Sequence, residues 1–434
     1  MSATLFSELR KPIAIVGMGV SGTSVKELLL TDGISSNDLL TFDDKSQEAD
    51  FRNGDELLAK GKPKTLIVSP GVPLQTPWIL EAKKNGIVIT SELSIASKIL
   101  TSESLIAITG SIGKSTTTCL LQAALEKFCP SYFVGGNLGI PLAVYAKDLL
   151  QKKRQRAQWI VLELSSYQLE NFPELKADYS VITYLTPNHL ERYTSKNEYY
   201  KTKWQLEKHT HKVLVLNKNG GELMSWSREH APALVKIIWT DHKDPLIKQF
   251  SLNDCALLGA HNLDNIAMAA QIIQLNQWPQ EAYQGLKEFP GLPHRVENLG
   301  WNQDILYIND SKATTMESVK IAIQSALEAL KPNKKLHLLL GGRDKNLPWQ
   351  ELKELSSNPS IQFYFFGECR DQAKKLSQLQ GPTFPLMIEA AEAARAKAQP
   401  GDGILLSPGG TSLDEFKNFE YRGEVFKSFA KANY

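Results

Sequence analysis

Short apolar runs recur along the chain, each closed by Gly, Asn, Asp or Pro and each followed by a stretch of helical spacing. They include Ile13–Val16, Thr65–Val68, Gly86–Thr90, Ile106–Thr109, Trp159–Leu162, Val181–Leu185 and Val213–Leu216. After a break the pattern resumes with Ile305–Ile308, Leu336–Leu340, Gln362–Phe366 and Gly403–Leu406. Runs of four to six β-branched or aliphatic residues are too short for core helices. Alternating with helical segments, they predict parallel sheets of the α/β class. Two punctuated stretches, Thr101-Ser-Glu-Ser104 and Phe289-Pro-Gly-Leu-Pro293-His-Arg295, read as joints. The expected domains are therefore 1–98, 99–293 and 294–434: a Rossmann-like N-terminal domain, a P-loop ATPase-like centre and a Rossmann-like C-terminal domain.

The most informative stretch is Ile106-Ala-Ile-Thr-Gly110-Ser111-Ile112-Gly113-Lys114-Ser115-Thr116. A strand turns on two glycines into a Ser/Thr-rich helix start. Such a turn aims backbone N–H groups at the helix N-terminus, where partial positive charge collects. Lys114 adds a cation, and the Ser115 hydroxyl suits a phosphate-bound magnesium ion. The form G-x-x-G-K-S-T is shorter between its glycines than the common P-loop, but it is still a triphosphate cradle. The bland alternative is an ordinary βα turn.

Other strand ends carry candidate chemistry. Gly17-Met-Gly19-Val20-Ser21-Gly22 matches G-x-G-x-x-G, with Asp43 and Asp44 about 20 residues on. It points to a phosphate or ribose ligand. Ser69-Pro70-Gly71 closes the next strand, and Gly135-Gly-Asn137-Leu-Gly is either a ligand-approach loop or a plain turn. Glu163 ends one apolar strand and His189 follows another. A carboxylate past a buried strand is costly unless it meets a cation or metal, so the two are expected together beside the γ-phosphate. Asn262 and Asn265 lie one helical turn apart; they either read an adenine edge or cap the helix. Lys201 and Lys203 sit in a polar helix whose plain reading is a solvated face. In the last third, polar turns follow the strands at Asp310–Thr314, Gly341–Lys345 and Gly409–Ser412, where ligands bind in such sheets.

Composition changes the picture mainly by exclusion. The 434 residues are 42% hydrophobic and 22% charged, with a formal net charge of +2, so neither nucleic acid nor an anionic membrane is an expected partner. Cys119, Cys129, Cys255 and Cys369 form no C-x-x-C pair, which argues against a zinc site and fits a reducing cytosol. No apolar run approaches about 18 residues, so neither a secretory leader nor a spanning helix is expected.

Taken together, TGSIGKSTTT, GGNLGIPL, ELSSYQLE, LTPNHLER, GAHNLDN, GLPHR, NDSKAT, LLGGRDK and LLSPGGTSLDEFKNFEYRG resemble the Mur ligases of peptidoglycan synthesis along the whole chain. The last three motifs are similar to those of the D-glutamate-adding branch, and the D-N-P-R motif of the diaminopimelate- or lysine-adding branch is missing. The resemblance implies a cytoplasmic, monomeric ligase with UDP-N-acetylmuramoyl-L-alanine, D-glutamate and ATP as substrates and two magnesium ions as cofactors. It implies ATP contacts at Gly110, Ser111, Ile112, Gly113, Lys114, Ser115, Thr116, Asn262, Asn265, Arg295 and Asp310. It implies UDP-substrate contacts at Gly17, Val20, Ser21, Gly22, Asp43, Asp44, Ser69, Pro70, Gly71 and Asn137, the last near the muramoyl-alanine end. Thr314, Lys345, Ser412, Leu413 and Phe419 are implied to line the D-glutamate pocket. Lys114, Glu163, His189 and Lys203 carry the catalytic roles by the same resemblance, with Ser115, Glu163, His189 and a carbamoylated Lys203 holding metal. Tyr199-x-x-x-Lys203 matches the family's carbamoylated-lysine stretch and selects Lys203 over Lys201. Two departures stand out: Ser111 and Ile112 replace the family's usual Thr and Asn, and Pro408-Gly-Gly-Thr411 replaces a Pro-Ala-x-Ala type of turn.

Three other readings explain less. Folylpolyglutamate synthetase is a rival within the superfamily, separable by the amino acid that triggers phosphate release. A nicotinamide-dependent dehydrogenase accounts for Gly17–Gly22 but leaves the ATP loop and Glu163 unexplained. A non-catalytic nucleotide-binding regulator sits badly with the retention of Lys114, Glu163, His189 and Lys203.

Overall fold

The computed structural model of the chain describes residues 5–172, 175–188, 192–230, 235–248, 250 and 257–432. Three sheets are present. The first holds β1 (Ile13–Val16), β2 (Leu39–Phe42), β3 (Thr65–Val68) and β4 (Val88–Thr90) in the order β2-β1-β3-β4, all parallel. The second holds β5 (Ser104–Thr109), β6 (Tyr132–Gly136), β7 (Trp159–Glu163), β8 (Ala177–Ile182), β9 (Thr210–Asn217) and β10 (Lys236–Thr240). Their order is β10-β9-β8-β5-β7-β6, again parallel. The third holds β11 (Glu297–Asn302), β12 (Ile305–Asn309), β13 (Leu336–Gly341), β14 (Ile361–Phe366), β15 (Thr383–Phe384) and β16 (Gly403–Gly409). Here the order is β11-β12-β16-β13-β14-β15, with only the edge strand β11 antiparallel to its neighbour.

By internal contacts the chain divides into two compact units, Met1–Leu246 with Asp264–Leu286, and Ile247–Leu263 with Lys287–Tyr434. The first two sheets belong to the first unit and the third sheet to the second. One division falls inside the helix Ala260–Leu275, between Leu263 and Asp264. In the first unit a continuous apolar core runs from Ile13, Ile15, Leu28 and Leu29 through Leu142, Tyr145 and Ala146 to Ile160 and Leu162. The helices Val20–Thr31 and Leu142–Leu150 contribute to it from opposite sheets. The other face of the first sheet packs its own cluster of Ala14, Val16, Leu66, Val68 and Ile79. In the second unit the third sheet is covered on both faces, by Val319, Ile323 and Trp349 on one and by Ala391, Phe426 and Phe429 on the other. Central strands buried on both faces read as continuous apolar runs, which is why their sequences lack a period of two.

Of the strand bounds that differ from the sequence expectation, those of β8 bear on the site. The run at Val181–Leu185 belongs to a strand that starts earlier, at Ala177, and ends at Ile182. Thr183, Tyr184 and Thr186 leave the ladder to bond the glycine loop. The polar helix is α-helical over Lys196–Trp204 and continues as a 3-10 turn over Gln205–His209. Among the described residues no helix is long and apolar enough to cross a membrane.

Candidate active site

The glycine loop joins β5 to the helix Lys114–Glu126. Gly110 has φ +148° and Gly113, the helix N-cap, has φ +85°. A Cβ at Gly110 would lie 2.0 Å from Thr183 Oγ1, and one at Gly113 would lie 2.6 Å from Asn265 Oδ1. Neither position accepts a side chain. No acidic residue occupies the first turn of the helix, so its backbone donors retain their pull on an anion. Lys114 folds back over the loop, with Nζ donating to Gly110 O at 2.7 Å and Ser111 O at 3.2 Å. Its charge therefore sits at the mouth of the cradle.

The exit of β8 clamps this loop. Ser111 N donates to Tyr184 O at 2.7 Å, Ser111 Oγ donates to Thr186 O at 2.9 Å, and Thr186 N donates back to Ser111 Oγ at 3.1 Å. Thr183 Oγ1 donates to Ile112 O. Tyr199 OH donates to Ser111 Oγ at 3.2 Å. The serine at 111 is thus fastened through its hydroxyl, while Ile112 contributes through its carbonyl. On the other side, Thr117 Oγ1 reaches Asn265 Oδ1 at 3.4 Å. Asn265 therefore touches the cradle helix. Asn262, one turn earlier, donates through Nδ2 to Leu258 O at 2.7 Å and fastens its own helix start.

Beside the loop lies a buried charged cluster. Glu163, at the end of β7, is 1% exposed. Its Oε1 accepts from Asn137 Nδ2 at 2.6 Å, and its Oε2 is buried with no hydrogen-bond partner among the described residues. An anionic oxygen left bare in a protein interior costs several kcal/mol by order of magnitude unless a cation meets it. Lys203, also 1% exposed, places Nζ 3.5 Å from Thr109 Oγ1 and 4.9 Å from the centre of the Tyr199 ring. Burial, reinforced by the Lys114 charge and opposed by Glu163, holds its ammonium well below the usual lysine range. The plain reading of this lysine as a solvated face is therefore overturned. Ser115 is buried at the start of the cradle helix Lys114–Glu126, and Thr116 is half-buried beside it. His189, expected next to Glu163, lies outside the described residues. Among the described residues, no group of three or more His, Cys, Asp or Glu is arranged around a metal position.

A cleft of about 500 Å³ opens at the C-terminal edge of the first sheet. Of the residues expected to hold the UDP substrate, Gly17, Val20, Ser21, Asp43, Asp44, Ser69, Pro70, Gly71 and Asn137 all line it. Gly22 does not: a Cβ there would lie 2.0 Å from Gly17 O, so this glycine serves helix-to-turn packing. Asp43 is committed to the turn itself. Its Oδ2 accepts from Met18 N at 2.8 Å and its Oδ1 from Lys45 N at 2.9 Å. These bonds, that from Met18 first, hold its carboxyl below the usual range. Asn137 joins cleft to cluster, since its side chain holds Glu163 while its loop walls the cleft. Gly136 has φ +94°, and a Cβ there would meet Glu163 O at 2.3 Å. Gly135 is likewise required by close backbone approach, since a Cβ there would lie 2.2 Å from Ile140 O.

In the second unit, the turns after β12, β13 and β16 carry the residues expected at the amino-acid pocket. Ser412 is buried, Thr314 and Phe419 are half-buried, and Lys345 and Leu413 are exposed. Arg422, for which sequence reasoning gave no role, joins the turns after β12 and β16. It is fully buried, and its guanidinium donates to Ser311 Oγ at 3.0 Å, Ser311 O at 2.7 Å and Gly410 O at 3.2 Å. Burial brings its pKa down to about 10. Its one sequence signal was a cation three residues after Phe419, on the same face of the last helix. Ser311 Oγ donates in turn to Phe419 O at 2.8 Å. Asp310 is buried, accepting from Ser407 Oγ at 2.7 Å and Val296 N at 3.2 Å. Burial raises its pKa to about 7. Each oxygen thus holds one neighbour, Ser407 at a strand end or the His294–Val296 stretch, where Arg295 lies half-buried.

A glycine-loop cradle on a parallel sheet, with a buried acid at a neighbouring strand end and a desolvated helix lysine, defines a P-loop nucleotide-dependent α/β protein. The chain belongs to the Mur ligase family. Residues 108–273 match the Mur ligase middle domain. The UDP-N-acetylmuramoylalanine–D-glutamate ligase of Acidobacterium capsulatum is 31% identical over 98% of this chain and 96% of its own length. The enzyme of the same name from Haemophilus influenzae is 33% identical over 97% and 98%. Among solved structures, MurF ligase from Thermotoga maritima in complex with ADP has a TM-score of 0.61 at 15% identity, covering 90% of this chain and 95% of that one.

Proposed function

We propose that the chain is an ATP-dependent ligase that adds D-glutamate to UDP-N-acetylmuramoyl-L-alanine, releasing ADP and phosphate in peptidoglycan precursor synthesis. Relatives bearing that ligase's name match nearly the whole chain. The observation that carries the chemistry is the Glu163–Lys203–Lys114 cluster beside the glycine loop. A carboxylate does not condense with an amine at neutral pH. ATP supplies the activation: the alanine carboxylate attacks the γ-phosphorus, ADP leaves, and an acyl phosphate forms. The amine of D-glutamate then attacks the acyl carbon, and phosphate departs from the tetrahedral adduct.

Each step asks mainly for positioning and charge neutralisation. The loop N–H groups and Lys114 hold the β- and γ-phosphates. The unpartnered Glu163 Oε2 and the buried Ser115 hydroxyl are hard oxygen donors that fit magnesium. Magnesium would neutralise developing phosphate charge there. His189 and Lys203 complete the reading as holders of a second ion. Carbon dioxide adds only to a neutral amine, and the burial of Lys203 favours that form; the carbamate then offers the oxygens a hard cation needs. Asn265 and Asn262 serve the adenosine side, with Arg295 and Asp310. Gly17–Ser21 and Ser69–Gly71 take the diphosphate and uridine, where the helix Val20–Thr31 starts with no acid in its first turn. Thr314, Lys345, Ser412, Leu413 and Phe419 receive D-glutamate. The working divisions are 1–98, 99–293 and 294–434, in a monomer acting in the cytoplasm.

Phosphate release with UDP-N-acetylmuramoyl-L-alanine, ATP and magnesium tests the reading. D-glutamate should trigger release and L-glutamate should not. Release driven by L-glutamate on a folate acceptor would instead place the chain with the polyglutamate synthetases.

A further inference from the structure

Arg192 occupies a position that the proposed chemistry leaves without a role. Its side chain is 10% exposed, and the guanidinium makes two sets of contacts. Nε and Nη2 form a two-pronged pair with Glu170, at 3.1 Å to Oε1 and 2.7 Å to Oε2. Nη1 donates to Pro70 O at 3.0 Å, and Nη2 also reaches Val72 O at 3.4 Å. The plane lies over the Tyr167 ring, 4.1 Å from its centre. A planar fork can serve two carbonyls and a carboxylate at once; an ammonium cannot.

The carbonyls it holds belong to the turn after β3. Ser69, Pro70, Gly71 and Val72 all line the cleft at the first sheet, and Arg192 is not among the lining residues. From the same turn, Ser69 Oγ donates to Gly17 O at 2.7 Å and so braces the glycine turn on the opposite wall. Both walls are therefore referenced to Arg192 without its touching a ligand. Glu170 comes from the second sheet's part of the unit, a few residues past Glu163. Arg192 follows shortly after the Thr183–Thr186 stretch that clamps the ATP loop. Rings continue the contact: Tyr167 stands 6.4 Å from Tyr193, Tyr193 stands 5.3 Å from Tyr199, and Tyr199 lies under Lys203.

We propose that the Arg192–Glu170 pair is a positioning device for the nucleotide-sugar cleft, setting the Ser69–Val72 turn against the part of the fold that carries the ATP cradle. This rests on the functional reading above, since it takes the cleft's ligand to be a uridine-diphosphate sugar. Losing the fork frees two backbone carbonyls and leaves Glu170 without its counter-charge, so the turn loses its reference while the ATP loop keeps its own bonds.

The experiment is a pair of calorimetric titrations, UDP-N-acetylmuramoyl-L-alanine and magnesium-ATP, on the wild-type protein, Arg192→Ala, Arg192→Lys and Glu170→Gln. Both Arg192 variants should bind the nucleotide sugar about ten-fold or more weakly, with ATP affinity changed by less than about two-fold. Glu170→Gln should show a smaller loss with the same split. Arg192→Lys keeps the charge and most of the stem, so it carries the result if Arg192→Ala does not fold. Equal losses for both ligands, or unchanged nucleotide-sugar binding in Arg192→Lys, would overturn the positioning role while leaving the ligase reading intact. A folded wild-type protein that binds ATP but not the nucleotide sugar would overturn both.

Discussion

Asn137 Nδ2 sits 2.6 Å from Glu163 Oε1, and that bond fixes which carboxylate oxygen is left without a partner. The same residue is held through its backbone, with Asn137 N donating to Glu163 O at 2.8 Å. A loop that walls the cleft at the first sheet thereby sets the rotation of the acid beside the glycine loop. If Glu163 holds magnesium as proposed, Asn137→Ala should retain the fold and lose kcat by about ten- to a hundred-fold, with a raised magnesium requirement, because the bond from Asn137 orients that carboxylate. Steady-state kinetics across a magnesium series would show it. An unchanged magnesium dependence would detach Asn137 from the acid's function.

Gly136→Ala should be more damaging than most surface substitutions. The position has φ +94°, and the added methyl would meet Glu163 O at 2.3 Å. Strain and displacement together should cost about 2–4 kcal/mol of stability. Activity should fall further than the melting temperature alone accounts for, since Glu163 is pushed from its place. Denaturant titration beside turnover at a temperature where the variant is folded would separate the two effects.

Much of this was legible in the chain, and the exceptions share a cause. Strand ends announce themselves through composition, so Gly110–Thr116, Glu163 and the polar turns of the third sheet were all readable. Burial is not announced. Lys203 sits in a helix of polar appearance and became notable only through a family spacing, yet it is among the most buried charged side chains described. Asp43 reads by spacing as part of a phosphate or ribose site; it lines the cleft, and its oxygens also hold the turn through Met18 N and Lys45 N, which spacing does not reveal. Gly22 completes a phosphate-binding pattern and in fact makes room for Gly17 O. Arg192 and Arg422 act on backbone carbonyls far away in sequence, which no local pattern encodes.

Glu92 gives a pH signature independent of the chemistry. It is buried, its Oε1 accepts from Ala143 N at 2.6 Å, and burial raises its pKa from 4.5 to about 7. Between those values the folded state holds a proton that the unfolded state has released. Stability therefore falls as pH rises through the window, and the penalty is fully present above about 7. Glu92→Gln keeps the acceptor and removes the charge. It should stabilise the protein by on the order of 2 kcal/mol at pH 8 and by almost nothing at pH 4. Urea titrations at the two pH values decide this; equal gains at both would remove the titration from the explanation.

Lys203→Ala should retain ATP binding and be nearly inactive. If the neutral amine carries a carbamate, added short carboxylic acids should restore part of the rate by supplying the missing anion. Intact mass under carbon dioxide and magnesium, set beside activity with and without acetate, would report on both. A bare amine together with an active Lys203→Ala variant would require the second ion to be held another way.

Amino-acid selection should reside in the second unit. Lys345 is exposed on the turn after β13, and the proposed function gives it a carboxylate of D-glutamate to meet. Lys345→Ala should raise the KM for D-glutamate far more than the KM for ATP, because a site built for a charged group loses its pairing when one partner is removed. Parallel changes in both would take Lys345 out of that pocket.

The central claim is that the site joins carboxylate to amine through an acyl phosphate formed from ATP. The most direct measurement follows oxygen. UDP-N-acetylmuramoyl-L-alanine labelled with oxygen-18 in both oxygens of its alanine carboxylate is turned over with unlabelled ATP, magnesium and D-glutamate. One carboxylate oxygen bridges to phosphorus in the acyl phosphate and leaves with it, so each inorganic phosphate released should carry one labelled oxygen by mass spectrometry or phosphorus NMR. Product formed with unlabelled phosphate would contradict the mechanism and the roles given to Lys114, Glu163 and Lys203 within it.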